Sequence, residues 1–286
     1  VPPSSGPLQA TGAMNKPAAR KTADIATEPR SGTQSIERAV GVLRVIASRG
    51  RRGMRIAEVV SMSGLTHSTC FRVLQRLHAE GLIDKDDHTR KYYLGPLIHE
   101  LGLLARPRYR LSEVCDGALR DLAESTQDTV YLSERSGLEA VCTARYMGDY
   151  PIKVLPLDVG IRRPLGVGAG GLAILGAMDP EEARSVVEMN GAHYAGFGGL
   201  TLERMWQSVK ETRERGYSFL DNVATPGSAA LGVALTPDHP VAALSVAAIS
   251  GRMQTSRHEA LAQAIRDQVA RLADTLQGLR EIQPSP

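Results

Sequence analysis

Residues Arg55–Leu77 read RIAEVVSMSGLTHSTCFRVLQRL, two short helical patterns joined by a tight turn. In the first, Ile56, Val59 and Val60 recur at helical spacing and bury one face, while Glu58 stays in water. Gly64 supplies the positive φ of a sharp helix exit, and Leu65 plugs the corner between the helices. Thr66 or Ser68 caps the second helix. Along that helix Phe71, Leu74 and Leu77 form an apolar stripe. The other side carries His67, Ser68, Thr69, Arg72, Gln75 and Arg76, with Thr66 at its start.

A face of this kind suits a DNA groove. Small hydroxyl and imidazole groups at the helix start fit against base edges, and arginines one and two turns later reach guanines or phosphates. The bland alternative is an ordinary amphipathic hairpin. The next stretch of chain favours DNA: Leu82-Ile83, a polar tip over 84–89, then Arg90-Lys91-Tyr92-Tyr93-Leu94, a strand, loop and strand that read as a wing. Arg90 and Lys91 are placed to rest beside phosphates, whereas the acidic tip argues against deep insertion. Residues 35–94 hold 11 Lys and Arg against 6 Asp and Glu, a net of +5, while the rest of the chain from 95 holds 19 against 23, a net of −4. The overall charge of +3 therefore hides a basic head on an acidic body. Arg49, Arg51, Arg52 and Arg55 lie between the first apolar helix (Ile36, Val40, Leu43, Ile46) and the second; they either clamp the DNA backbone or form a solvated loop.

A length of 286 residues suits two domains. Aromatic residues make up 4%, so the cores must rely on Leu, Val, Ile and Ala. Cys70, Cys115 and Cys142 are odd in number and widely spaced, which fits neither a disulfide framework nor a metal quartet and points to a reducing cytoplasm. No apolar run approaches membrane-spanning length, and no secretory leader is evident. Residues 1–34, rich in Pro, Ala, Ser, Thr and Gly, are expected to be a disordered tail, with Met14 a candidate native start. The winged helix-turn-helix is assigned to 35–95, a linker helix to 96–110, an effector domain to 111–280 and a short tail to 281–286. Within these spans, helical spacing covers Leu97 to Leu104 up to Pro107, and again about Leu111 to Glu124. Strands are expected at 129–133, 139–144, 152–157, 217–222, 229–235 and 241–248, and helices near 170–178, 180–189, 202–215 and 256–279. This order makes an α+β body with a mostly antiparallel sheet.

From about Ser35 to Leu279 the chain resembles the IclR family of bacterial transcription regulators. The likeness is carried by Ser35-Ile36-Glu37-Arg38-Ala39, by Gly64-Leu65-Thr66-His67-Ser68-Thr69, and by Pro164-Leu165-Gly166-Val167-Gly168-Ala169-Gly170-Gly171. Arg215-Gly216-Tyr217, Pro226-Gly227 and Val241-Ala242-Ala243-Leu244-Ser245-Val246 extend it. The resemblance implies a winged helix-turn-helix joined by a linker helix to a GAF-like effector domain, assembling as a homodimer or homotetramer on double-stranded operator DNA. It also implies an effector pocket that includes Leu155, Gly168, Ala169, Leu220, Ala230 and Ser245. Where many members carry an acid, this chain has Leu220 with Asp221 beside it, and where many carry Cys it has Ala230. A one-residue slip would restore the acid. Otherwise the pocket is less polar than in members that bind very small oxoacids, which favours a larger or more apolar organic acid, an aromatic one included.

Gly166, Gly168 and Gly171 also satisfy G-x-G-x-x-G, but that fingerprint needs a buried strand and a parallel βαβ unit, and Pro164 is expected to interrupt any strand here. No cofactor is therefore implied. Arg162 and Arg163 are either an anion-steering pair at the pocket mouth or plain surface charge. The alternative is a GAF-like-domain enzyme or nucleotide-binding protein with an incidental basic N-terminus. Its support is thin, since the seven histidines lack metal spacing and Cys142, on a buried strand, is the one conceivable nucleophile. The expectation is a ligand-responsive DNA-binding regulator, not an enzyme, with no membrane partner.

Overall fold

In the basic head, the apolar spacing of the first helix buries Val42 and Ile46 and leaves Ile36 and Val40 exposed. The computed structural model describes residues 33–105, 111–223, 225–235 and 241–282. The tail expected over 1–34, Met14 included, thus falls almost wholly outside the described residues, as do Pro107 and residues 283–286. Helix α1 (Gln34–Ala47) is followed by β1 (Met54–Arg55), α2 (Ile56–Ser63), α3 (His67–Ala79), β2 (Ile83–Asp86), β3 (Lys91–Leu94) and α4 (Pro96–Ala105). Their shared core is built on Val42, Ile46, Met54, Val59, Leu74 and Ile83. Gly64 sits at φ 67° and ends α2, and Leu65 packs against the core at the corner. Thr66, not Ser68, is the N-cap of α3, its Oγ1 accepting from the Thr69 N–H at 3.3 Å.

Two features of the head depart from expectation. The buried stripe of α3 runs through Cys70, Leu74 and Leu77, and Phe71 is 42% exposed. With 3.6 residues per turn, Cys70 lines up with Leu74 and Leu77, and Phe71 is rotated off that line. Strand β1 is the second departure: it pairs antiparallel with β3, Met54 opposite Tyr92, so the wing is a three-stranded sheet in the order β1-β3-β2.

The body contains α5 (Leu111–Val114), α6 (Asp116–Thr126), β4 (Thr129–Ser136), β5 (Glu139–Met147), β6 (Arg162–Pro164), α7 (Ala169–Ala177), α8 (Pro180–Tyr194), α9 (Leu202–Arg215), β7 (Ser218–Asp221), β8 (Ser228–Ala234), β9 (Ala242–Ile249) and α10 (Thr255–Ile282). The six strands form one antiparallel sheet ordered β6-β5-β4-β9-β8-β7. Alternation sorts its faces. On β9, Ala242, Leu244, Val246 and Ala248 face the core made with α6 and α10, while Ala243, Ser245 and Ala247 face the other way, toward α7.

Three expectations for the body are corrected. The helix expected from Leu111 to Glu124 breaks at Cys115, leaving α5 and α6. Residues 152–157 form no strand; Pro156 has no N–H for a ladder, and β6 takes the place beside β5 instead. β6 in turn ends in Pro164, the residue expected to prevent a strand, because proline is tolerated on an edge strand. The glycine run therefore does follow a strand, though an antiparallel edge strand, and the parallel unit a dinucleotide site requires is not there among the described residues.

Candidate functional site

Two places in the molecule gather functional side chains. The first is the exposed side of α3. Thr66, His67, Ser68, Arg72, Gln75 and Arg76 are all exposed, and Thr69 is half-buried, its hydroxyl accepting from Thr66 Oγ1 at 2.9 Å. Arg76 is paired with Glu80 one turn on, whereas no partner is drawn to Arg72 among the described residues. Phe71, expected in the core, instead adds an apolar surface beside Arg72. A polar helix face flanked by a small apolar contact can bond base edges and touch a thymine methyl.

The wing stands beside it. Asp86 accepts from the N–H groups of His88 (2.8 Å) and Thr89 (3.0 Å), which closes the tip and lowers the Asp86 pKa, the Thr89 bond chiefly. Arg90 is exposed at φ 58°. Lys91 is half-buried and donates from Nζ to the Arg52 carbonyl at 2.9 Å, which pins the base of the wing to the arginine loop. Arg49, Arg52 and Arg55 are exposed around that pin.

The second place is a cavity between α7 and the sheet, with about 640 Å³ of atom-free space counting its mouth. Its sheet side is made mostly of small residues, Ser133 on β4, Ala140 and Cys142 on β5, Ser245 and Ala247 on β9 and Ala230 on β8, with the larger Tyr131, Arg163 and Leu220 beside them. Glycine brings the helix down onto this surface. A Cβ on Gly170 would lie 2.5 Å from Ser133 Oγ, and one on Gly232 would lie 2.8 Å from the Ala169 carbonyl oxygen. Ser218 Oγ donates to that same carbonyl at 2.6 Å and holds the first turn of α7 in place.

The start of α7 is open. Gly168, at φ 102°, is the N-cap and offers no side chain, and the N–H groups of Ala169, Gly170 and Gly171 meet no acceptor among the described residues. Ser133 and Ser245 flank Gly170. Each is 5% exposed, and neither hydroxyl has a hydrogen-bond partner among the described residues. These hydroxyls and the unpaired helix N–H groups open onto one cavity, where a ligand or water can satisfy them.

A strap over residues 153–157 covers the cavity, and three side chains from the sheet hold its carbonyls. Tyr131 Oη donates to Val154 O (2.9 Å), Arg163 Nη2 to Pro156 O (2.7 Å) and Arg145 Nη1 to Leu157 O (2.8 Å). Burial raises the Tyr131 pKa and pushes the Cys142 thiol up to about 11, so both stay protonated at neutral pH and neither is a nucleophile.

Of the pocket residues expected from the sequence, Gly168, Ala169, Leu220, Ala230 and Ser245 line this cavity. Leu155 does not. It is 45% exposed on the outer side of the strap, while its neighbours Val154, Pro156 and Leu157 face inward. Asp221 is also outside, because it follows Leu220 on β7 and points to the opposite face, where it accepts from Ser250 Oγ. Tyr131, Ser133 and Cys142 are lining residues that sequence reasoning misses, and Arg163, read from the sequence as either anion-steering or surface charge, lines the cavity with them. The signal for the first two is present in Val130-Tyr131-Leu132-Ser133, where period-two alternation separates an apolar face from a polar one.

Two family models match successive parts of this chain. A model described as the IclR helix-turn-helix domain matches residues 35–87, and one described as the bacterial transcriptional regulator IclR C-terminal matches 106–273. The transcriptional repressor IclR of Escherichia coli (strain K12) is 24% identical over 239 residues, 82% of this chain and 86% of that protein. An IclR transcriptional regulator from Alicyclobacillus acidocaldarius aligns with a TM-score of 0.67 at 23% identity, over 84% of this chain and 98% of the other. An IclR homolog from Microbacterium hydrocarbonoxydans, solved with 4-hydroxybenzoate, aligns at 0.65 and 19% identity, over 85% of this chain and 99% of the other.

Proposed function

This chain belongs to the IclR family of bacterial transcriptional regulators, and on that premise we propose that it reads operator DNA through the α3 face and answers to an organic acid held in the α7 cavity. The family is one of regulators, not enzymes. The DNA residues we assign are Thr66, His67, Ser68, Thr69, Arg72, Gln75 and Arg76 on the helix, with Arg90 and Lys91 in the wing. The exposure of that face supports the assignment.

The observation that carries the effector reading is the pair of unpartnered hydroxyls, Ser133 and Ser245, on either side of the open start of α7. Donors that converge on one point suit a carboxylate. Leu220 on the same sheet face supports an acid with an apolar body, as does the absence of Asp and Glu from the lining among the described residues. The complex of the Microbacterium homolog with 4-hydroxybenzoate is in keeping with an aromatic acid.

We assign the winged head to 35–95, the linker to 96–110 and the effector unit to 111–280, in a homodimer or homotetramer in the cytoplasm. Among the described residues no helix is long and apolar enough to cross a membrane. Helix α4 buries no residue and exposes Leu101, Leu103 and Leu104, which supports a seam between copies. Effector binding then shifts the relative placement of two heads and their fit to spaced half-sites. The test is mobility shift on the DNA upstream of its own gene with scrambled competitor, with and without candidate acids. Retention that scrambled DNA abolishes refutes specific readout, and a saturating acid that leaves operator affinity and bending unchanged refutes the coupling.

A further inference from the structure

Arg163 and Val223 line both the α7 cavity and a second, more open hollow of about 750 Å³, counting its mouth. The outer hollow is bounded by Ile161, Arg162, Phe197, Asn222 and Pro226, with no Asp or Glu in its lining among the described residues. Arg163 pairs with Ala140 across β5 and β6, so it rises from the same sheet face as Cys142 and Ser133 and stands at the boundary of the two spaces. Its Nη2 donates to the Pro156 carbonyl at 2.7 Å, and its guanidinium lies 5.9 Å from the centre of the Phe197 ring. Arg162 beside it is ion-paired with Glu139 at 2.7 Å and bonded to Ser136 at 2.8 Å, so its charge is already met and Arg163 is the cation offered to a ligand.

A carboxylate offers a guanidinium an opposite charge and a planar, two-point acceptor, neither of which a single neutral carbonyl provides. An arriving anionic group therefore competes well with the Pro156 carbonyl for the Arg163 fork. We propose that the outer hollow is a second, anion-selective subsite of the same ligand site, so that the protein takes an elongated organic diacid. One carboxylate sits at the start of α7 between Ser133 and Ser245, and the other on Arg163. This rests on the reading of the inner cavity as the effector site.

The experiment is calorimetric titration of the full chain with the straight-chain diacids from succinate to sebacate, each beside the monoacid of equal length, and with terephthalate beside benzoate. The best diacid should bind about ten- to a hundredfold more tightly than its monoacid, the worth of one added charge-assisted contact. In Arg163→Met that ratio should fall to about one, and Ser245→Ala should weaken both series. Diacids no tighter than monoacids, with Ser245→Ala still weakening both, overturn the outer subsite and leave the inner reading standing. A ratio that survives Arg163→Met does the same. No binding in either series overturns the inner reading and the proposal with it.

Discussion

Replacing Asp128 should cost the body more stability than exchanging any of the charged residues at its surface. Its carboxylate, 2% exposed, accepts from Arg252 Nε (3.0 Å) and Nη2 (3.2 Å) and pairs with Arg257 Nη1 (2.7 Å), tying the start of β4 to the start of α10. Asp128→Ala leaves two guanidinium groups in a partly buried site without a counter-ion, and breaking a buried pair in this way costs about 3–5 kcal/mol. The lower end applies here. Both arginine side chains keep 27% exposure and can rehydrate, and each keeps a carbonyl: Arg252 bonds Thr126 O (3.3 Å), Arg257 bonds Thr126 O (2.9 Å). Arg252 also stays stacked on Tyr150, 3.8 Å from the ring centre. We therefore expect a loss of about 3 kcal/mol for Asp128→Ala, and about half of that for Asp128→Asn, which keeps the shape and one acceptor. The assay is urea unfolding followed by Trp206, the single tryptophan, which packs against the α7–α9 core of the body. A loss of less than about 1 kcal/mol for Asp128→Ala, the range of surface pairs, refutes the assignment of this cluster as a buried clamp.

Three further outcomes concern the two sites and the thiols. Arg72→Ala should weaken specific operator binding by about 1–3 kcal/mol and relax sequence preference at one position; equal loss on scrambled DNA in a competition shift assay rejects base readout. Ser133→Ala and Ser245→Ala should each weaken the best-bound acid by about 1.5–3 kcal/mol in calorimetry, the range for hydrogen bonds to a charged group, while operator affinity without the acid stays put. The thiols should resist modification: burial holds Cys142 at about 11 and Cys115 at about 12, against 9.0 ordinarily. At about pH 8 the thiolate fraction of Cys142 is then roughly a hundredfold below that of a free thiol, so native protein should react slowly with a disulfide reagent and unfolded protein fast. A raised pKa on an acid favours the protonated native state. The stability this confers is present in full below pH 9.0 and is lost as pH climbs toward about 11, and a native labelling rate equal to the unfolded one contradicts it.

Much of this architecture is legible in the residues because local signals and packing agree. Gly64, Thr66 and the spacing of Val59, Leu74 and Leu77 specify the helix pair without tertiary information. Where the reading slips, a competing contact decides. Phe71 is the more apolar candidate, yet the small Cys70 takes the buried position because helical geometry, not hydrophobicity, sets the line through Leu74 and Leu77. The apolar letters of 152–157 look like a strand, but the strap is held by side-chain donors from Tyr131, Arg145 and Arg163, contacts far apart in sequence. The cavity is harder still to foresee. Its definition depends on which face of β4, β5 and β9 looks at α7, and a register of one residue separates Leu220, inside, from Asp221, outside.

The small residues under α7 bear on how the shape of such a cavity changes over evolutionary time. The volume of the cavity is set by what is missing from Ser133, Ala140, Ala230, Ser245 and Ala247, all standing on strands whose backbone is fixed by the ladder. A single codon change at any of them adds one or two methyl groups to the cavity wall and leaves the opposite sheet face, with its core of Val130, Leu132, Leu244 and Val246, untouched. The cavity wall and the core against α6 and α10 are thereby carried by alternate letters of the same strands.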